Sequence, residues 1–300
     1  MKLKGSSVFV LPLIALAVLV GAFLPLRVSA AGQPGNVLKQ HKIHLLKNLG
    51  NANANTSNNL IYNGGPVMGG TTQVYAIFWE PTGSYVSSSY NSLILRYFRD
   101  VGGSGLYHNN TQYKDSGNNY PSNAALAASW VDTAPYPLPV LQDSDIQNEV
   151  THAINVNGWT PAITHVFFVF TAKNEVICSG GLCSFTYFCA YHSYFGANTI
   201  YAAMPYTGTS QNTCGTSSSP NGDHDADSTI NVTSHEQMEA ATDPLLNAWI
   251  DSSGQEIGDK CAWNFGSVGG NGANVTWNGD PYIVQQEWDN TQSGCVLSGP

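Results

Sequence analysis

Thr164-His-Val-Phe-Phe-Val-Phe170 is the stretch on which the fold turns. It is apolar at consecutive positions, rich in aromatic and β-branched residues, and free of turn formers. A strand apolar on both faces belongs in the middle of a sheet that is covered on both sides. Working outward, Gln73-Val-Tyr-Ala-Ile-Phe-Trp79 has the same character, and Thr199-Ile-Tyr-Ala-Ala-Met204, ended by Pro205, reads as a third strand. Helical periodicity falls between them. Ser87 to Val101 carries Leu93, Ile94, Tyr97 and Phe98 on one face and is stopped by Gly102-Gly103. Ser144 to Ile154 carries Ile146, Val150, Ala153 and Ile154, with an N-cap near Asp143 or Ser144.

Residues 104–142 read as a long loop rich in Tyr, Trp and Pro, of a length that covers or lines something. Residues 207–229 read as a polar Ser/Gly/Asn loop, and a helix follows over 233–243, ended by Asp243-Pro244. Trp277-Asn-Gly-Asp280 is a hairpin turn leading into a strand from Tyr282 to Trp288. The order β-α-(loop)-α-β-β-α-β-β predicts a layered α/β domain with a mixed, largely buried sheet flanked by helices. Zinc metallopeptidases share this plan, so a zincin-like arrangement is the finer expectation, by analogy of fold.

The chain's first 30 residues read as a signal peptide: Lys2 and Lys4, an apolar run from Val8 to Leu24, then Val28-Ser29-Ala30 as a cleavage site. Residues 31–59 read as a polar tail or linker. Within it Lys39 to Lys47 suggests one or two helical turns, and Asn51 to Asn59 is of low complexity. Residues 60–300 form a single globular domain, exported and free of membrane once the leader is removed. Without the leader, eight Lys and Arg face 20 Asp and Glu, a formal charge of −12 with His neutral. That excludes nucleic acid as a partner, since no basic cluster is left to displace counterions from phosphates. Six Cys in an exported chain read as three disulfides. Among the fifteen pairings, proximity in sequence favours Cys178–Cys183, Cys189–Cys214 and Cys261–Cys295.

Chemistry concentrates in Thr233-Ser-His-Glu-Gln-Met-Glu-Ala-Ala-Thr-Asp-Pro244 and in Glu256-Ile-Gly-Asp-Lys-Cys261. His235 and Glu239 are four apart and share a helix face. The pair matches a metallopeptidase His-Glu-x-x-His helix in which Glu239 replaces the second His. A divalent metal would take His235, Glu239 and, from the returning segment, Asp259 in preference to Glu256, leaving a position for water. Glu236 would then be the catalytic base that takes the proton of that water. Two carboxylates and one imidazole make a hard site: zinc is favoured, with calcium or manganese as alternatives. Against this stands a purely structural reading, in which Thr233-x-x-Glu236 is a capping box and Asp243 and Asp251 serve turns. A third possibility is that Asp243, Asp251, Glu256 and Asp259 together hold a structural calcium.

Other residues read as ordinary. His192 is a hydrogen-bonded loop histidine, with an approach to the metal as its alternative. His165 is structural at the start of a strand, and Asp223-His-Asp-Ala-Asp227 is a solvated loop without the distal Glu of a calcium loop. Gly-x-Ser-x-Gly is missing, and disulfides absorb the thiols, so serine and cysteine hydrolases are disfavoured. Tyr113, Tyr120, Trp130, Trp249, Trp263 and Trp277 are candidates for stacking on sugar rings.

Tyr62-Asn-Gly-Gly-Pro-Val67, Val74 to Trp79, Phe188-Cys-Ala-Tyr-His192, Ser234-His-Glu, and the run Thr242-Asp-Pro-Leu-Leu-Asn-Ala-Trp249 with Glu256-Ile-Gly-Asp-Lys-Cys-Ala-Trp263 carry a resemblance over roughly residues 60–297. Together they resemble the phosphate-induced protein 1 (EXORDIUM-like) family and its bacterial relatives. The plant members are secreted wall-space proteins linked to growth. Two functions are therefore expected from different classes. One is a secreted metal-dependent hydrolase acting on peptide bonds. The other is a non-enzymatic, extracellular or wall-associated EXORDIUM-like binding protein with a structural metal and wall polysaccharide as its partner.

Overall fold

The computed structural model describes residues 58–300 and the strand 42–45. The leader and cleavage site, and the rest of the 31–59 tail, lie outside the described residues.

Six strands form the main sheet: β1 (Lys42–Leu45), β2 (Gly70–Trp79), β3 (Pro121–Asp132), β4 (His165–Thr171), β5 (Phe188–Phe195) and β6 (Thr199–Met204). Their spatial order is β1-β5-β6-β4-β2-β3. β3, β2, β4 and β6 run parallel, and β5 runs antiparallel to both β6 and β1. The sheet is thus mixed, with Val166 to Thr171 of β4 fully buried at its centre. Helix α1 (Tyr90–Asp100) and helix α3 (His224–Thr242) cover one face, while α2 (Asp143–Asn157) covers the other.

The register explains both covers. Ala76, Phe168 and Ala202 lie side by side across β2, β4 and β6. The two alanines leave Phe168 room to receive Phe98 of α1, ring centroids 5.1 Å apart. The next row, Ile77, Val169 and Ala203, faces α2 and packs with Ile146, Val150 and Ala153. Period-two alternation on a strand buried on both sides produces this pair of cores. Both early helices carry the apolar faces expected of them, and Gln142, one residue ahead of the expected cap, accepts the first-turn amide of α2.

Four expectations are corrected. The 104–142 region is not all loop, because Pro121–Asp132 is the edge strand β3; its run of alanines has low β propensity and hides it. Within the Lys39 to Lys47 piece, the described residues Lys42–Leu45 are a strand and not a helical turn, pairing antiparallel with β5. Residues 224–229 are not loop but the start of α3. The Tyr282 to Trp288 strand is divided into Asp280–Tyr282, which pairs across Asn278-Gly279 with Val275–Trp277, and Glu287–Asp289, which pairs with Gly294–Val296. That hairpin turn is as expected: Asn278 (φ 53°) and Gly279 (φ 95°) supply the left-handed pair the turn requires.

All three disulfides form as expected: Cys178–Cys183, Cys189–Cys214 and Cys261–Cys295. Among the described residues no helix is long and apolar enough to cross a membrane.

On the α2 side, Glu149 is buried opposite Asp132 at the end of β3, and burial together with that carboxylate pushes it up to about 8 from 4.5. A carboxyl that holds its proton more tightly when folded penalises the fold once the unfolded chain ionises. Stability should therefore fall as pH rises from about 4.5 to about 8, at about 1.4 kcal/mol per unit of raised pKa. Thermal unfolding across that window should show the decline in the wild type and a flatter profile in Glu149→Gln.

Candidate metal centre

Helix α3 is built from residues that rarely make a buried helix: Ser228, Thr229, Asn231, Thr233 and Ser234 are weak helix formers, yet every residue from Ala226 to Thr242 is buried. Tertiary hydrogen bonds replace an apolar stripe. Thr229 donates to Tyr90 Oη (3.1 Å), Asn231 accepts the amide of Gln285 (3.0 Å), and Gln237 accepts from Tyr97 Oη (2.9 Å). The helix begins at Asp223, whose carboxylate accepts the amide of Ala226 (3.1 Å). Thr233 is therefore in mid-helix, bonding back to Thr229 O at 2.8 Å, and the expected capping box with Glu236 does not form. Glu236 is left without the structural task that the sequence offered it.

His235 and Glu239 lie one turn apart, with Nε2 to Oε1 3.0 Å. The return segment, a short turn at Asp259–Cys261, brings Asp259 Oδ1 to 3.8 Å from the same nitrogen, and its amide donates to Glu239 Oε1 (3.0 Å). His235, Glu239 and Asp259 thus present donor atoms within 4.8 Å of one another, a group that could hold a metal ion. His235 and Glu239 are wholly buried, and the Asp259 side chain keeps 20% exposure. Gly258 makes this approach possible. A Cβ on it would lie 2.6 Å from His235 Nδ1, so the backbone lies directly against the imidazole. Its φ of −79° suits any residue, and the constraint is space alone.

His192 is not in a loop. It occupies β5 opposite Ala202, in the row of Ala76, Phe168 and Ala202, and so faces α3. Its Nδ1 is 3.3 Å from Glu236 Oε2 and 3.7 Å from Glu239 Oε2, and its Nε2 is 3.8 Å from Glu256 Oε1. His192, Glu236 and Glu239 form a second, entirely buried group with metal-ligand spacing. Glu287 was missed in the sequence because it sits in what reads as a plain late strand. It is fully buried, both its oxygens lack a hydrogen-bond partner, and it feels Glu239 and Asp259. Its strand is tied by Gly294–Val296 and the Cys261–Cys295 disulfide to the Asp259 turn.

Burial dominates the electrostatics. It lowers His235 to about 4, so this imidazole is neutral, the form that binds metal. It raises Glu236 and Glu287 well above the usual carboxylate range, with Glu239 and Asp259 adding repulsion to both. Lys260, next to Asp259, pairs with Asp251 Oδ2 (3.1 Å) and lies 4.3 Å from the Trp288 ring centroid.

Asp243 and Asp251 do not converge with Glu256 and Asp259 into a calcium site. Asp243 accepts the amides of Asn247 and Ala248, and Asp251 those of Ser253 and Gln255. Asp223, Asp225 and Asp227 are not a solvated loop: they cap α3 or accept from Tyr206 Oη (2.8 Å) and Ser219 (2.7 Å). His165 bonds Thr160 O (2.7 Å) at the start of β4, a structural use. Tyr113 is fully buried and withdrawn as a sugar-stacking ring.

Comparison with known proteins gives partial likeness. Over 95 residues the chain is 36% identical to Protein EXORDIUM-like 3 of Arabidopsis thaliana, covering 26% of this chain and 28% of that protein. Over 99 residues it is 33% identical to Protein EXORDIUM-like 5 of the same plant, covering 27% of each. The chain thus spans about a quarter of the length of these curated relatives. No family model matches it, and no solved structure does.

Because Gly258 leaves no space for a methyl group, Gly258→Ala should push the His235 ring off its position. Overpacking of this kind costs about 1–3 kcal/mol, and a lower unfolding midpoint together with a shifted His235 imidazole resonance by NMR would register it.

Proposed function

We propose that this chain is an extracellular, EXORDIUM-like, non-enzymatic protein whose domain is organised around a buried divalent-metal centre. His235, Glu239 and Asp259 are the ligands, and zinc is the favoured ion because imidazole and carboxylate donors suit it. One observation carries the structural role: His235, Glu236 and Glu239 are wholly buried, and only Asp259 of the group keeps an exposed edge. A hydrolytic metal must be met by a peptide carbonyl, whereas a structural metal needs enclosure. Three disulfides fit an oxidising compartment, in keeping with export. Exposed Tyr187, just before β5, and Tyr194, near its end, supply rings for a wall polysaccharide.

Metal binding to the folded chain alone stabilises it by mass action. Metal analysis should find zinc in the wild type and less in His235→Ala, and a chelator should lower the unfolding midpoint by several degrees. Co-sedimentation with insoluble wall polysaccharide should retain the protein.

A second reading, the zincin-like metallopeptidase, is favoured by one feature: Glu236 adjoins His235 on a helix lying against a mixed sheet beside its antiparallel strand β5. There Glu236 would act as general base toward metal-bound water. Peptide hydrolysis that is blocked by chelator and lost in Glu236→Gln would replace the structural proposal with this one. A metal-loaded protein without turnover upholds the structural role.

A further inference from the structure

Glu239 stands between two imidazoles. Its Oε1 is 3.0 Å from His235 Nε2, and its Oε2 is 3.7 Å from His192 Nδ1. One ion at the His235 side uses Oε1 and leaves Oε2 directed at a second, buried set of donors. We propose that the cluster is built for two divalent cations bridged by the Glu239 carboxylate, the second held by His192, Glu236 and Glu239. The inference rests on the reading of His235, Glu239 and Asp259 as ligands of the first.

Three further observations support the second position. Glu236 Oε2 lies 3.3 Å from His192 Nδ1, while Glu236 Oε1, fully buried, has no hydrogen-bond partner. Oε2 engages the His192 ring while Oε1 is left unsatisfied, and a buried polar atom in that state is costly. The donor atoms of His192, Glu236 and Glu239 lie within 4.8 Å of one another, a spread that an ion about 2.1 Å from each closes with sub-ångström movement. On the far side of the ring, Glu256 Oε1 is 3.8 Å from His192 Nε2, longer than a hydrogen bond but on the side where a carboxylate partner of a ligating histidine stands.

Glu287, fully buried with both oxygens unpartnered, adds a further carboxylate that the first ion's ligand set does not use. Carboxylate-bridged pairs of ions sit about 3.5–4 Å apart, a separation that one carboxylate spans through its two oxygens.

The test uses the folded, exported chain loaded with Mn²⁺, with bound metal counted by mass spectrometry and the spins read by electron paramagnetic resonance. The expected result is two ions per chain and an exchange-coupled spectrum. Glu236→Gln, which keeps the volume of the side chain, should retain one ion and show the hyperfine pattern of isolated Mn²⁺, and His192→Ala should do the same. Wild-type protein with one ion and an uncoupled spectrum overturns the bridge and leaves the single centre standing. Wild-type protein with no ion overturns both. Two ions retained in Glu236→Gln also overturn the second site as described, without reference to any variant that fails to fold.

Discussion

Carboxylates and imidazoles share one largely buried volume between β5, α3 and the Asp259 turn, and the need to compensate charge there governs the structure around it. An ionised carboxylate removed from water without a partner is penalised by far more than the net stability of a domain, so it is neutralised by a proton or by a cation. The neutral state of His235 and the raised Glu236 and Glu287 are the proton solution. A metal replaces it with ionised ligands, and enclosure then strengthens each bond. The same cluster is thus a liability without an ion and a fastening with one.

The architecture delivers the donors by three routes, each separately anchored. Helix α3 supplies His235, Glu236 and Glu239 in a single turn, held by side-chain hydrogen bonds to Tyr90, Tyr97 and Gln285 in place of an apolar stripe. Strand β5 supplies His192 from a row otherwise composed of Ala76, Phe168 and Ala202, where the neighbouring alanine leaves the imidazole room to reach the helix. Cys189 on the same strand is bonded to Cys214, just ahead of α3. The C-terminal segment supplies Asp259 and Glu287, linked through Cys261–Cys295. Two of the three disulfides therefore fasten segments that carry the cluster, and Cys178–Cys183 closes a hairpin away from it.

The central strands and two early helices were legible because hydrophobic period is a local property: Val166 to Phe170 needs no partner to be read as a buried strand. His235, Glu239 and Asp259 were legible as a set because two share a helical face and the third lies at a disulfide. β3 was not, since Ala124, Ala125, Ala127 and Ala128 carry no strand preference and are placed by pairing with β2. The first nine residues of α3 were hidden for the opposite reason: tertiary hydrogen bonds hold Ser, Thr and Asn in a helix that their intrinsic preference resists. His192 and Glu287 depend on sheet register and a distant disulfide, and no local pattern announces either. Gly258 offered only its position between Ile257 and Asp259.

The placement of Glu236 bears on what a metal here would do. A general base needs to reach the water that meets substrate, and the partly exposed edge of the cluster is the Asp259 edge. Glu236 lies instead against His192, which is fully buried, and the sheet stands behind that histidine. A substrate arriving at Asp259 would find ligands first and the candidate base on their inner side. Glu236 in that position is better placed to be a ligand than to exchange protons with solvent. The hydrolytic arrangement would need the Asp259 turn to move away, and Cys261, two residues on, is bonded to Cys295 in the strand that pairs with Glu287. Opening the cluster would thus carry Glu287 with it, which ties access to the loss of the enclosure around the cluster.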